Sequence, residues 1–401
     1  MTDVRPPVAD WATDFDHQHP DYAANATEIW DELRDDCPIA HTNRYGGAWF
    51  PTRHEDIAAI SKDVVHFSSQ GVVVTEERPD IPAPMGYAPP ITSDPPFHSI
   101  ARSIMLKFFS PKAIDAWEPT IRETCRRLIA DIKTKIDAGE TTIDIAANYS
   151  QHIPVSVMAD MLGLPRQDGD VFRGFIHNIM EQTGEEPPYE ESMDFYLDTH
   201  VAKRRSNLGD DLISYLCQAD IEGMPLLDEH VRGTIGLLII AGIDTTWSAI
   251  GAGLWHMAQS PKDRDRWTND PSVQPTALEE ILRFYAPVTM ARLIAEDIEL
   301  GGCPMKAGDW TLLPFPAANR DPEAFEQADK FVIDRARNRH SAFGLGIHRC
   351  VGSNLARLEV RIAMEEWMAA FPDFELANPE AVTWSTGQVR GPRQLPVLFL
   401  G

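Results

Sequence analysis

The sequence predicts a mainly α-helical chain with small β-sheets assembled from its two ends. Three observations carry that expectation. Apolar residues recur at helical spacing through the middle of the 401-residue chain. One stretch, Asp228 to Ser260, keeps that character over about 50 Å at 1.5 Å per residue, enough to cross a whole domain. Strand-like runs are short and lie towards the chain ends.

The N-terminus, MTDVRPPVADWATDFDHQHP, is polar and proline-bearing and lacks the apolar core of a signal peptide. "AWFPT", from Ala48, is the first strand candidate. "RPDIPAPMGYAPPITSDPP", residues 78–96, holds prolines enough to preclude regular structure while stiffening the path. It reads as a surface connection or as a lid over a ligand. Ser110 before Pro111 opens the helix "SPKAIDAWEPTIRETCRRLIADIKTKI", with Ile114, Trp117, Ile121, Leu128, Ile132 and Ile136 on its apolar face. "GDDLISYLCQA" reads as another helix.

The long helix from Asp228 ends before Pro261, and Asp244 at its centre excludes a membrane span. "DIEL", "WTLLPF" and "LPVLFL" are the later strand candidates. "SNLARLEVRIAMEEWMAAF", closed by Pro372, is a helix whose Leu355, Leu358, Ile362 and Trp367 face a core.

A 43% hydrophobic composition supports a large core. With no repeat and no long linker, residues 1–401 are expected to form a single domain. A net charge of −25 opposes binding to nucleic acid or anionic membrane. No run approaches the roughly 18 uninterrupted apolar residues that span a bilayer, so a cytoplasmic location is expected. Cys37, Cys125, Cys217, Cys303 and Cys350 are scattered without a C-x-x-C pair, which argues against both a disulfide framework and a structural zinc site.

The densest chemistry lies in "FGLGIHRCVG", residues 343–352. It fails as a dinucleotide loop, because position 349 is Arg where G-x-G-x-x-G needs Gly. A zinc reading would recruit His340, His348 and Cys350 but finds no second cysteine pair. A nucleophilic cysteine needs a base that the sequence does not place. A remaining reading is a thiolate ligand to haem iron, at the start of a helix whose dipole and amides favour the anion.

These residues resemble the haem-binding signature of the cytochrome P450 family, F-G-x-G-x-H-x-C-x-G. Three further stretches resemble family motifs in the same order. "AGIDTT", residues 241–246, is similar to the oxygen-activating motif of the long central helix. Glu280 and Arg283 of "EEILR", with Arg335 of "FVIDR", resemble the structural Glu/Arg/Arg set. "DPPFHSIAR", residues 94–102, resembles the stretch whose His and Arg hold a haem propionate.

The resemblance implies the cytochrome P450 fold: one catalytic domain, triangular and helical around a long central helix, with a β-rich lobe from the two chain ends. It implies haem b with Cys350 as axial thiolate, and O2 as co-substrate of a monooxygenase. By the same resemblance Asp244 and Thr245 deliver protons so that the O–O bond breaks heterolytically, and Gly242 with Thr245 leaves room beside the iron. His98, Arg102, Arg292 and His348 contact the propionates, while Phe343, Gly344 and Ala241 border the macrocycle. Glu280, Arg283 and Arg335 are structural.

By family position, Leu237, Ile240, Val288, Met290 and Val389, with Gln388, line a pocket for a hydrophobic small molecule such as a terpenoid, steroid or aromatic compound. Without a fused reductase or an N-terminal anchor, the chain is expected to be a soluble bacterial member served by ferredoxin and an NAD(P)H-dependent ferredoxin reductase. Lys107, Lys112, Arg122, Arg126, Arg127, Arg349, Arg357 and Arg361 would form a basic face steering the acidic partner.

Two rival readings remain, the first of which shares Cys350. A peroxide-driven or isomerising relative usually departs from the acid–alcohol pair. A haem sensor or electron carrier needs no proton relay.

Overall fold

A computed structural model describes residues 5–75, 86–180, 187–221 and 223–400. Residues 78–85 of the proline-rich stretch, and with them much of the expected lid, lie outside the described residues.

The N-terminal part supplies α1 (Pro20–Asp36), β1 (Ile39–Thr42), β2 (Ala48–Pro51), α2 (His54–Lys62) and β3 (Phe67–Ser68). The middle is helical, with α3 (Phe97–Leu106), α4 (Pro111–Asp115) and α5 (Glu118–Asp137), then β4 (Thr142–Asp144). It continues as α6 (His152–Leu162), α7 (Gly169–Met180), α8 (Met193–Ser206) and α9 (Leu212–Gln218). The short β5 (Asp220–Ile221) and β6 (Met224–Pro225) lead into α10 (Asp228–Gln259). The last part holds α11 (Pro261–Asn269), α12 (Gln274–Phe284), β7 (Thr289–Ile294), β8 (Ile298–Leu300), β9 (Cys303–Met305) and β10 (Trp310–Pro314). After α13 (Phe315–Ala318) and α14 (Ser353–Ala370) come β11 (Phe374–Leu376), β12 (Thr383–Trp384), β13 (Pro392–Gln394) and β14 (Pro396–Phe399).

The largest sheet has the order β1-β2-β10-β7-β3, so strands from both chain ends interleave. A second sheet, β11-β14-β4, also joins the C-terminus to an earlier segment. Around α10 pack α6, α8 and α14, and one continuous apolar cluster runs through α5, α6, α10 and α14. Burial around most of its circumference is why α10 is apolar on most sides. Its most apolar 18-residue window is 67% buried inside the protein, which makes it an interior helix rather than a lipid-facing one.

One expected helix divides in two. The segment from Pro111 breaks between α4 and α5 because Pro119 cannot continue it: the ring would clash with the carbonyl of Asp115. At the start of α5 the same proline is harmless, since the first amides of a helix lack partners anyway. The described part of the proline-rich segment leans on α10. A Cβ placed on Gly233 would sit 2.1 Å from the Tyr87 carbonyl oxygen, so that contact requires glycine.

Candidate active site

The Phe343–Gly352 loop folds back on itself. The Cys350 amide donates to the Phe343 carbonyl at 2.7 Å, and the Gly344 amide to the Ser341 carbonyl at 2.8 Å. Gly346 has φ +69°, and a Cβ there would fall 2.3 Å from the Ser61 carbonyl oxygen at the end of α2. This glycine therefore answers to protein packing. For Gly344, at φ +71°, the nearest atoms to that position belong to the Phe315 ring, at 3.5 Å, and the His348 carbonyl, at 3.9 Å.

Cys350 stands just ahead of α14, and the Gly352 amide donates to its sulfur. The residue is solvent-accessible, yet protein surrounds the sulfur closely enough that burial pushes its thiol pKa up. The Gly352 hydrogen bond and the charges of Arg102, Arg349 and Arg357 pull the other way. A bound cation that offsets the burial would complete the thiolate. The other cysteines are buried or half-buried.

Beside this loop lies a cluster of donors from three elements. His98 and Arg102 are one turn apart on α3, Arg292 lies on β7, and His348 belongs to the cysteine loop. The His98 and His348 rings stand 4.3 Å apart. His348 Nε2 meets Ser69 Oγ at 2.9 Å, and Arg102 donates to the Arg349 carbonyl at 2.5 Å. Buried Arg292 donates to the Ala291 carbonyl at 2.7 Å and, among the described residues, enters no ion pair.

Burial pushes the Arg292 pKa down to about 10. That of His348 falls to about 2, from burial first and then the charges of Arg292, His98 and Arg102. The nearby acid, Asp94, is occupied by the Ser68 hydroxyl at 2.5 Å and the Ser69 amide at 2.9 Å. His98 Nε2 is buried without a hydrogen-bond partner among the described residues. Two guanidiniums and two imidazoles, one with an unbonded buried ring nitrogen, call for an external anion. This set fits the two carboxylates of a haem.

On α10 the half-buried or exposed residues Leu237, Ile240, Ala241 and Thr245 form one stripe. Thr245 Oγ1 donates back to the Ala241 carbonyl at 2.7 Å. Gly242 turns away from that stripe, where a Cβ would lie 2.8 Å from Met158 Sδ on α6. Asp244 is 1% exposed, and its partner is a residue that the sequence reading missed. Arg393 of β13 reaches it at 2.7 Å, bonds Ser248 Oγ at 3.2 Å, and lies 4.4 Å over the Trp247 ring. Gly391 permits this approach, because a Cβ there would be 2.3 Å from Ser248.

Glu280, Arg283 and Arg335 come together in the interior. Arg283 grips Glu280 with two bonds of 2.8 Å, and Arg335 Nε adds a third at 2.9 Å. The Val332 amide and the Asn338 side chain complete the carboxylate's partners. Of the expected pocket residues, Val288 and Val389 pair as a β-bridge, and Gln388 bonds the Val72 carbonyl at 2.7 Å. Val288 and Met290 are half-buried, whereas Val389 is buried.

The expected basic face is largely neutralised. Arg122 is held by Glu118, Glu365 and Glu366; Arg126 by Glu366; Arg361 by Glu118 and Glu365; and Arg357 by Glu279. Arg127 stands 4.0 Å from Asp131. Among the described residues only Lys107, Lys112 and Arg349 of that set enter no ion pair. Counting cations along helices had left out the acids facing them.

Comparison with known proteins identifies the family of the chain. The family model described as Cytochrome P450 matches residues 188–270 and 274–382. "Probable cytochrome P450 127A1" of Sinorhizobium fredii is 32% identical across 86% of this chain and 82% of its own length. "Mycinamicin IV hydroxylase/epoxidase" of Micromonospora griseorubida is 30% identical across 92% and 94%. Among solved structures, the Bacillus subtilis bacillaene polyketide synthase cytochrome P450 PksS superposes with a TM-score of 0.85. It shares 29% identity, covering 96% of this chain and 100% of that one.

Proposed function

Since the chain belongs to the cytochrome P450 family of haem monooxygenases, we propose that Cys350 is its thiolate ligand and that its substrate is a small hydrophobic organic molecule. The observation that carries the assignment is the donor cluster of His98, Arg102, Arg292 and His348, which forms no ion pair among the described residues, its nearby acid Asp94 being bonded to Ser68 and Ser69, and which adjoins a cysteine at a helix start. Bound haem supplies the iron at which O2 is reduced with two electrons and two protons, one oxygen atom entering the substrate and the other leaving as water.

The chain's own residues hold that group and manage protons. Arg102, Arg292, His98 and His348 bind its two propionates, while Phe343, Gly344 and Ala241 border it. Gly352 donates to the Cys350 sulfur and stabilises its anionic form. The Thr245 hydroxyl spends its proton on the Ala241 carbonyl, so its lone pairs are free to hold a water on the accessible side of α10. Asp244, kept in place by Arg393, exchanges a proton with such a water.

Leu237, Ile240, Val288, Met290 and Val389 make an apolar pocket suited to a terpenoid, steroid or aromatic compound. That two relatives are named for polyketide biosynthesis and mycinamicin IV oxidation supports an organic substrate. Electrons come from NAD(P)H through a ferredoxin reductase and a ferredoxin, which Lys107, Lys112 and Arg349 attract to the cysteine side. The protein acts in the cytoplasm as one catalytic domain.

The test starts from a compound that shifts the spin state of the purified holoprotein. Asp244→Asn and Thr245→Ala are each expected to cut product per NAD(P)H consumed, and Asp244→Asn to slow turnover about 100-fold. Hydrogen peroxide should account for the missing electrons. Unchanged product yield in both variants would remove the pair from the mechanism.

A further inference from the structure

One charged group flanks the cysteine loop, through partners on either side of it, without a part in the roles above. Glu279, the neighbour of structural Glu280, accepts two hydrogen bonds from Arg357 at 2.6 and 2.8 Å. The same carboxylate lies 2.9 Å from Nε2 of the buried His340 side chain. Arg357 in turn sits over Phe343 of the loop, its guanidinium carbon 4.4 Å from the ring centre. Phe343 is the residue whose carbonyl receives the Cys350 amide.

The pair is half-buried rather than freely solvated, and it is fixed from more sides than a simple surface ion pair would be. Bidentate binding on one side, an aromatic face on the other and a histidine behind the acid leave the guanidinium one position. Arg357 lies in the first turns of the helix that Cys350 precedes and packs on the residue that holds the Cys350 amide, so its charge is fixed beside the segment that carries the sulfur. Glu279 is itself securely charged: despite burial, the bonds from Arg357 and His340 bring its pKa down to about 2.

We propose that Glu279 and Arg357 are positioning residues that set the electrostatic potential at the Cys350 sulfur, and through it the ease with which the haem held there is reduced. The proposal rests on Cys350 being the thiolate ligand. A fixed positive charge favours the added electron, and Glu279 offsets part of that charge. The two residues therefore act in opposite directions, whereas a merely structural role would disturb the site in the same sense from either side.

The experiment is a spectroelectrochemical titration of substrate-free holoprotein. Glu279→Gln should make reduction easier and Arg357→Gln harder, each by at least about threefold in the equilibrium constant, or about 28 mV for one electron. The double variant should return towards wild type, and Arg357→Lys should recover most of the charge effect. Shifts of one sign, or none, would overturn the proposal. If Arg357→Gln does not fold, Glu279→Gln decides alone, and an unmoved or lowered potential counts against it. The reduced carbon monoxide spectrum of wild type separates the two levels. Without a thiolate-type band the parent reading fails, whereas with that band and unmoved potentials only this inference fails.

Discussion

His17 shows how far a single side chain can depart from its usual chemistry. It is fully buried beside Tyr45, with neither ring nitrogen bonded among the described residues. Burial lowers its pKa from 6.5 to about 4. Between those values the unfolded chain binds a proton that the folded chain refuses. Its contribution to stability is therefore complete above about pH 6.5 and falls by about 1.4 kcal/mol for each pH unit below it. Urea unfolding of wild type at pH 5 and pH 7.5 should reveal that loss. His17→Leu should shrink the difference by about 2 kcal/mol, and an unchanged difference would show that His17 does not titrate there. Nothing in the local sequence marks His17, because its burial is decided by Tyr45 and the chain around Gly387. Cys350 is the opposite case, since its glycines, histidine and helix start are all contiguous.

At the scale of elements, α10 was legible almost to the residue because it is long, apolar and stopped by Pro261. β7 was not singled out, and the reason is Arg292. A buried arginine in "TMARLI" breaks the alternation by which a strand is read. Arg393 was equally hidden, since no local pattern links it to an acid on a helix far earlier in the chain. The junction of β13 with α10 tests its weight. Arg393→Met should cost about 3 kcal/mol by leaving buried Asp244 without its cation, read as a lower urea midpoint. Combined with Asp244→Asn, the loss should be clearly less than additive. Full additivity would mean that the pair does not couple.

Over the whole molecule, charge is organised in two ways. Most cations on the cysteine side are paired with acids, so the net charge of −25 is only locally relieved, at Lys107, Lys112 and Arg349. In the interior, Glu280 ties α12 through Arg283 and Arg335 to the carbonyls of Asn319, Ala328 and Lys330 on the path to the cysteine loop. Glu280→Gln removes the charge while nearly keeping the shape, and should cost about 3–5 kcal/mol with parallel loss of haem on purification. Retained stability and haem would show that the network is dispensable.

The claim beneath all these is that Cys350 binds haem iron as a thiolate. The most direct measurement is the absorption spectrum of the reduced carbon monoxide adduct, recorded for wild type and for Cys350→Ser. The account predicts a strongly red-shifted band in wild type that the serine variant lacks. A wild-type band resembling that of a histidine-ligated globin, or a band unchanged by the substitution, would contradict it.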